Sequence, residues 1–145
     1  MIIEYNKKYL SGYTRLIKLL WNSIEDKDIN EIILEHELNK DKIFIAMLDE
    51  EVIGFINVSL RNDYVEGCST KGVGYIEGIY VCETHRRNKV AYELVNHAID
   101  FFKSMGISEI GSDTDISNEM SQFFHKAIGF KEVERNVHYI MKIGD

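Results

Sequence analysis

The chain has 145 residues, of which 45% are apolar and 28% charged, a size and balance that fit one globular domain over residues 1–145. Its net charge of −7 argues against a nucleic-acid partner, because contacts with phosphates need a basic surface. An acidic chain attracts cationic partners, although the same charge also serves solubility alone. No apolar run approaches the ~20 residues of a membrane span, so no membrane partner is predicted.

The two cysteines and the N-terminal residues bear on cellular location. Cys68 and Cys82 form neither a C-x-x-C pair nor a metal-binding spacing, which predicts reduced thiols and no metal site. The segment Met1–Tyr5 lacks the basic region of a secretory signal. We therefore expect a cytoplasmic protein.

The first half of the chain changes several times between helical and strand periodicity. Its predicted elements are a strand at 1–5, helices at 7–21 and from Asp28, strands at Lys42–Leu48 and Val52–Leu60, a loop at 61–72 and a strand at Val73–Val81. The polar turn at 49–51 between two of these strands predicts a hairpin.

The second half begins with a helical pattern and ends with strand patterns. Its predicted elements are a helix from Val90 that is stopped by Gly106, a strand at Glu109–Ser112, a helix at Asn118–Ile128 that is stopped by Gly129, and closing strands at Phe130–Val133 and Val137–Ile143. A strand, loop, helix and strand in succession imply at least one parallel pair. The predicted class is α+β (mixed α/β) with a mainly antiparallel sheet.

The turn at 82–89, between a strand and a helix, concentrates positive charge in an otherwise acidic chain. It contains His85, Arg86, Arg87 and Lys89. Free N–H groups and the positive dipole end of a helix N-terminus can hold a pyrophosphate. A solvated basic turn without a ligand is the alternative interpretation.

Two segments of the chain resemble the CoA-binding segments of the GNAT acetyltransferase superfamily. The run Arg86-x-x-Lys89-x-Ala91 resembles its signature of arginine or glutamine, x, x, glycine, x, glycine or alanine. Asn118, followed by the run H-K-A-I-G-F at 125–130, is similar to its second segment. The resemblance implies a central mixed, mainly antiparallel sheet flanked by helices, with acetyl-CoA as the acetyl donor and no metal.

A more specific resemblance, to the aminoglycoside 6′-N-acetyltransferases, rests on five strings in the right order. They are S-L-R-N-D-Y-V-E-G-C at 59–68, Y-I-E-G-I-Y-V at 75–81, S-D-T at 112–114, S-Q at 121–122 and G-F at 129–130. This resemblance implies direct acetyl transfer to the 6′-amine of a cationic acceptor. It also implies a homodimer with the segment Val137–Ile143 at or near the subunit contact.

The same resemblance assigns the residues that bind CoA. They are Ile79, Tyr80, Val81, Arg86, Arg87, Asn88, Lys89, Val90, Ala91, Asn118 and His125. Ile79 and Val81 are expected to act through their backbone. Lys89 replaces the usual glycine, and we expect its amide to remain usable if its φ is helical. His125 replaces a tyrosine that protonates the leaving thiolate in many members, and a packing role suits it equally.

Two carboxylates are the predicted catalytic residues. Glu77 lies inside an apolar strand, where a charge is costly unless it is paired. By resemblance it helps to remove a proton from the amine, through water; a salt-bridged glutamate is the alternative. Asp113 is implied to bind the acceptor's ammonium group, with a turn or cap aspartate as the alternative.

Three further residues are expected to bind the acceptor. By resemblance the loop at 61–72 walls the acceptor cleft, with Tyr64 stacking on a sugar ring and Glu66 pairing with ammonium groups. A solvated loop is the alternative. Trp21, on the first predicted helix, suits either the core or the cleft.

Two other functions are compatible with the sequence. The same fold could acetylate a polyamine, an amino sugar or a protein N-terminus, since carboxylates suit any cation. Alternatively, the chain could be a CoA-binding module without catalysis, which the atypical Lys89 and His125 favour.

Overall fold

The structure is a computed structural model that describes residues 1–21, 26–38 and 41–144. The chain forms two compact units, Met1–Ser112 and Asp113–Asp145. The sheet and three helices belong to the first unit, and one helix belongs to the second.

The described elements follow the predicted order closely. They are β1 (Ile2–Glu4), α1 (Leu10–Leu20), α2 (Asp26–Leu38), β2 (Lys42–Leu48), β3 (Glu51–Arg61), β4 (Val73–Val81), α3 (Val90–Ser104), β5 (Ile110–Gly111) and α4 (Glu119–Ile128). Short 3₁₀ turns at Lys7–Tyr9 and Glu83–His85 precede α1 and α3. None of the described helices is long and apolar enough to cross a membrane.

The five strands form one sheet in the order β1-β2-β3-β4-β5. The first three pairings are antiparallel and the β4–β5 pairing is parallel, which confirms the predicted mixed, mainly antiparallel sheet. The turn between β2 and β3 has two central residues, Asp49 and Glu50, both with positive φ. Two left-handed residues match the right-handed twist of the strands that they join.

Helices cover both faces of this sheet. One face packs against α1 and α2, with Tyr13, Ile17, Ile29 and Phe55 almost fully buried in that core. The opposite face packs against α3, whose buried residues include Phe102. Burying a large apolar side chain contributes about 1.5–3 kcal/mol, so these two layers fix the position of β4 between them.

β4 contains a bulge in the middle of its pairing with β3. Asn57 lies opposite Gly78 and Val58 lies opposite Ile76, which leaves Glu77 as the extra residue. Bulges bend a strand and re-aim its side chains, and they are common beside active sites. The bulge therefore explains how a charged side chain is tolerated inside an otherwise apolar strand.

β5 continues along β4 for a short distance. Its described ladder pairs Ile110 with Gly74 and Gly111 with Tyr75, and it ends there. Among the described strands, the later part of β4, from Ile76 to Val81, is hydrogen-bonded to β3 and not to β5. The edge of β4 that follows this pairing is where an extended ligand could add to the sheet.

The predicted closing strands at Phe130–Val133 and Val137–Ile143 are wrong for this chain as described. The structure assigns neither helix nor strand to residues 131–144. Val137 is 75% exposed and Ile143 is 95% exposed. Periodicity predicts which residues share one face of a strand, but a strand also needs a hydrogen-bonding neighbour, and periodicity says nothing about that neighbour.

Candidate active site

The strand β4 leads directly into the basic turn at 82–89. The backbone bends twice through left-handed conformations, with φ of 67° at Arg87 and 62° at Lys89. Lys89 therefore does not meet the condition of a helical φ, because this residue takes the left-handed conformation that glycine adopts most easily. A non-glycine residue there costs about 1–2 kcal/mol.

Arg86 has a structural contact within this turn. Its Nε donates to the carbonyl oxygen of Val81 at 3.0 Å, and its guanidinium carbon lies 5.4 Å from the ring centroid of Tyr80. The side chain thus fastens the turn to the end of β4. Arg87, Asn88 and Lys89 are exposed, so their side chains can reach a ligand in solvent.

The first turn of α3 leaves backbone donors exposed to this segment. The first intrahelical bond runs from the Glu93 amide to the Lys89 carbonyl at 2.9 Å. The amides of Val90, Ala91 and Tyr92 precede it, and Lys89 makes no side-chain cap bond with the described residues. Three amides at a positive dipole end beside a basic turn form an arrangement that fits a pyrophosphate.

Glu77 is held by donors from the neighbouring strand. Its Oε1 accepts from Ser59 Oγ at 2.6 Å and from Arg61 Nε at 3.0 Å, and its Oε2 accepts from Arg61 Nη2 at 2.9 Å. The two Arg61 bonds form a bidentate, charge-assisted pair. Glu77 is thus a salt-bridged glutamate, as the alternative interpretation expected. This ion pair is compatible with a role for Glu77 in a binding site.

Arg61 is a residue that the sequence analysis missed. Its guanidinium carbon lies 3.5 Å from the ring centroid of Tyr75, so the cation stacks on an aromatic face while it pairs with Glu77. Arg61 and Ser59 are two residues apart on β3 and therefore share a face. The alternation of side chains along a strand could have predicted that Ser59 and Arg61 share a face. Only the register between β3 and β4 across the bulge brings both side chains to Glu77.

Asp41 is a second residue of this face that the sequence analysis missed. Partial burial, and then the negative charge of Glu77, raise the pKa of Asp41. The residue immediately precedes β2, on the same end of the sheet as Arg61. Its position depends on strand order, which a single sequence does not give.

Trp21 lies beside the bulge. A Cβ atom added to Gly78 would be 3.3 Å from Cη2 of the Trp21 ring, so a glycine is needed for this close approach. Trp21 is half-buried at the edge of the α1 core. Trp21 therefore fits both interpretations, core and cleft, because it packs at the edge of the α1 core and also lies beside Gly78 and the bulge.

The loop at 61–72 is anchored by one buried side chain. Val65 is 6% exposed and packs with Val73 and Tyr75, whereas its neighbours Tyr64 and Glu66 are exposed. Tyr64 is 76% exposed, which leaves its ring available to stack on a ligand. The loop thus presents both predicted acceptor residues outward from a fixed point.

The remaining candidates belong to the second unit. Asp113 is its first residue, follows β5 in the chain and has an exposed side chain. Asn118 caps α4 by accepting from the Ser121 amide at 3.0 Å. Asp115 accepts from the Ser117 hydroxyl and amide, and these bonds lower the pKa of Asp115.

His125 has a packing environment within its own unit. Its Nδ1 lies 2.7 Å from the carbonyl oxygen of Ser121, and its ring centroid lies 5.2 Å from that of Phe130. These contacts agree with the packing interpretation of this histidine. Among the residues that the structure describes, no group of three or more histidine, cysteine or acidic side chains could hold a metal ion.

A basic turn that leads from the bulged strand β4 into a helix N-terminus can hold a pyrophosphate, and CoA contains one. The sequence model of the Acetyltransferase (GNAT) family matches residues 7–130. The chain belongs to the GNAT acetyltransferase family.

Named relatives are similar along almost the whole chain. Aminoglycoside N(6′)-acetyltransferase type 1 of Salmonella enteritidis is 38% identical over 140 residues, which cover 95% of this chain and 96% of the relative. The enzyme of the same name from Serratia marcescens is 37% identical, with 99% and 100% covered.

Solved structures agree with these relatives. An apo crystal structure of aminoglycoside 6′-N-acetyltransferase AAC(6′)-Ig from Acinetobacter haemolyticus superposes with a TM-score of 0.91, at 30% identity, covering 99% of both chains. AAC(6′)-Iy in complex with the bisubstrate analogue CoA-S-monomethyl-acetylneamine also has a TM-score of 0.91, at 35% identity, covering 98% of this chain and 97% of that one.

Proposed function

We propose that this protein transfers an acetyl group from acetyl-CoA to the 6′-amine of aminoglycoside antibiotics, and that it thereby confers resistance. The observation that carries the proposal is the end-to-end similarity to relatives that bear this activity in their names, one of which holds an analogue joining CoA to acetylneamine. The donor and acceptor features on β4 give this similarity a physical basis.

The donor side is proposed to use the turn at 82–89 and the first turn of α3. The amides of Val90, Ala91 and Tyr92 and the charges of Arg87 and Lys89 would hold the pyrophosphate of acetyl-CoA. The backbone of Ile79, Tyr80 and Val81 would pair with the pantetheine arm, as an added strand does. Asn118 and His125 are also proposed to contact the CoA arm.

The acceptor side is proposed to use carboxylates. Acetyl-CoA supplies an activated thioester, so direct transfer requires a neutral amine, a polarised carbonyl and a proton for the leaving thiol. We assign Glu77 to the ordering of a water molecule that takes the amine's proton, with Ser59 and Arg61 fixing its carboxylate. Asp113, Tyr64, Glu66 and Trp21 are assigned to acceptor binding.

The test is an amine panel with acetyl-CoA and the purified chain. Kanamycin-like compounds with a 6′-amine should be acetylated there, and analogues with a 6′-hydroxyl should not. Turnover of spermidine or a peptide N-terminus in place of aminoglycosides would overturn the acceptor. CoA binding without turnover of any amine would support a non-catalytic module.

We further propose a homodimer formed with a second copy of this chain through the segment Val137–Ile143. Its exposed apolar residues include Tyr139 at 91% and Ile140 at 96% exposure, an apolar stretch of the kind that marks an interaction surface. Sedimentation at micromolar concentration should give a dimer, and Ile140→Asp should give a monomer. A wild-type chain that sediments only as a monomer would contradict the proposal.

We also propose a cytoplasmic location and a single domain over residues 1–145. Cys68 and Cys82 are free thiols, as expected in a reducing cytoplasm. The family match at 7–130 runs across both compact units, which supports a single domain over residues 1–145.

A further inference from the structure

The loop between β3 and β4 (Asn62–Gly72, called the acceptor loop below) is attached to the first unit at two points. The first attachment is Val65, whose buried side chain packs with Tyr75. A Cβ atom added to Gly111 would be 3.1 Å from Val65 Cγ1, so Val65 also lies against the backbone of β5. The Cys68 amide donates to the Val65 carbonyl at 3.0 Å and closes the turn between the two attachments.

The second attachment is the carboxylate of Glu109, immediately before β5. Its oxygens accept from the Ser69 amide at 2.9 and 3.1 Å, the Thr70 amide at 2.7 Å and the Thr70 hydroxyl at 2.5 Å. The Glu109 carbonyl also accepts from the Gly74 amide at 3.0 Å. One residue therefore holds the end of the acceptor loop and the start of β4 together.

These contacts favour an ionised carboxylate. The hydrogen bonds from the Thr70 hydroxyl and the Ser69 amide lower the pKa of Glu109. Both amides and the Thr70 hydroxyl donate to Oε1, and the Ser69 amide also donates to Oε2 at 3.1 Å. A glutamine would keep the contacts at one oxygen, but it would lose the negative charge and place an NH2 group against the Ser69 amide. The arrangement distinguishes Glu109 from an exposed glutamate whose charge serves only solubility.

Tyr64 and Glu66, the two exposed residues that flank Val65, depend on these attachments for their position. Val65 fixes the middle of that run, with the half-buried Cys68 packed beside it, and the Glu109 bonds hold the returning half at Ser69 and Thr70. Loops with few buried contacts open locally at little cost in free energy. Small displacements of groups that position a substrate lower the rate or affinity strongly.

We propose that Glu109 is a positioning residue for acceptor recognition, which holds the acceptor loop so that Tyr64 and Glu66 meet a cationic acceptor. The inference rests on the proposed function, because it assigns the loop to the acceptor. Glu109 acts through the loop and touches neither substrate. Loss of the Glu109 carboxylate should therefore weaken binding of the acceptor and leave binding of acetyl-CoA unchanged.

The test is steady-state kinetics of Glu109→Gln with a kanamycin-like acceptor. The KM for the aminoglycoside should rise by roughly fivefold or more, while kcat and the KM for acetyl-CoA stay within about twofold of the wild type. Thr70→Val, which removes one bond and leaves the carboxylate, should change the same constant in the same direction by less.

Glu50→Gln is the matched control. Glu50 lies in the β2–β3 turn, at the opposite end of β3 from the acceptor loop, and has no hydrogen bond or ion pair with the described residues. The assays run well below the unfolding midpoint of each variant, so a change in stability does not enter. A Glu109→Gln variant with lowered thermal stability and an unchanged aminoglycoside KM would overturn the proposal.

Adding Glu109→Gln to a variant that lacks the Tyr64 and Glu66 side chains tests whether Glu109 acts by positioning those two residues. In a Tyr64→Ala/Glu66→Ala background, Glu109→Gln should add less than about twofold to the aminoglycoside KM, since the groups that it positions are gone. An undiminished effect in that background would overturn the inference. Failure of the wild-type chain to acetylate any 6′-amino aminoglycoside would instead reject the proposed function itself, and with it the acceptor assigned to the loop.

Discussion

The middle of β4 and the turn at its C-terminal end are built in different ways. After Val81 the donor turn presents backbone amides, with Arg87 and Lys89 in left-handed conformations, and the Arg86 side chain is bonded to the protein itself. Around Glu77 the acceptor face consists of side chains that hold one another through charge-assisted bonds. A site made of backbone tolerates changes of side chain, whereas a side-chain network is broken by one substitution. We therefore expect acceptor-face substitutions to cost more activity than those in the donor turn.

The largest effect is expected for Glu77→Gln. A hydrogen bond to a charged group contributes about 1.5–3 kcal/mol, and the substitution also removes a negative charge beside Arg61, where a cationic acceptor is expected. The kcat/KM for the aminoglycoside should fall by roughly a hundredfold, with the KM for acetyl-CoA little changed.

Glu51→Gln is the matched control for this change. It removes the pairing of an exposed glutamate with Arg15 at 3.4 Å and should alter neither constant. The double variant Arg61→Gln/Glu77→Gln restores neutrality and should recover part of the lost aminoglycoside affinity. Equal losses in the single and double variants would contradict the charge argument.

A smaller loss is expected for Asp113→Asn, because this carboxylate is proposed to make one contact with an ammonium group of the acceptor. Loss of one ammonium–carboxylate contact should lower kcat/KM for the amine by roughly tenfold. Acetyl-CoA binding, measured by calorimetry, should be nearly unchanged. A comparable loss of acetyl-CoA affinity would move Asp113 out of the acceptor role.

Substitutions in the donor turn should act on the other substrate. Arg86→Ala together with Arg87→Ala should raise the KM for acetyl-CoA several-fold and leave the KM for the amine nearly constant, because charged contacts with the pyrophosphate are lost. The single variants sharpen the comparison, because Arg86→Ala should also lower thermal stability by freeing the Val81 carbonyl. An unchanged acetyl-CoA KM in the double variant would reject the turn as the pyrophosphate site.

The smallest effect is expected for Lys89→Gly. Relief of the left-handed conformation gains about 1–2 kcal/mol, and the greater freedom of glycine in the unfolded chain offsets about 0.5–1 kcal/mol of it. The unfolding midpoint should rise by about 2–4 °C. Lys89→Ala, which removes the same charge and keeps the strain, should give no such rise, and a similar rise in both variants would exclude the backbone explanation.

Local sequence signals were sufficient for most of the first unit. The strands Lys42–Leu48 and Val73–Val81 were predicted with the bounds that the structure has, because periodicity and flanking turn residues act over a few neighbours. Gly106, with φ of 78°, ends the third helix as predicted, since only glycine adopts that conformation at little cost.

Pairing between distant segments could not be predicted in the same way. The bulge at Glu77, the stacking of Arg61 on Tyr75 and the capture of Ser69 and Thr70 by Glu109 all depend on register between strands. A shift of one residue moves every side chain to the opposite face, and no local pattern fixes such a shift.

The sequence by itself thus determined the family, the order of the elements, the basic turn and the presence of a carboxylate within β4, because each is a property of a short stretch of chain. Only the tertiary structure decided how that carboxylate is held, which residue fastens the acceptor loop, and that residues 131–144 form no strand in this chain as described. These features depend on hydrogen-bond partners that lie far away in the sequence, and such partners are chosen by packing of the whole sheet rather than by the residues beside them.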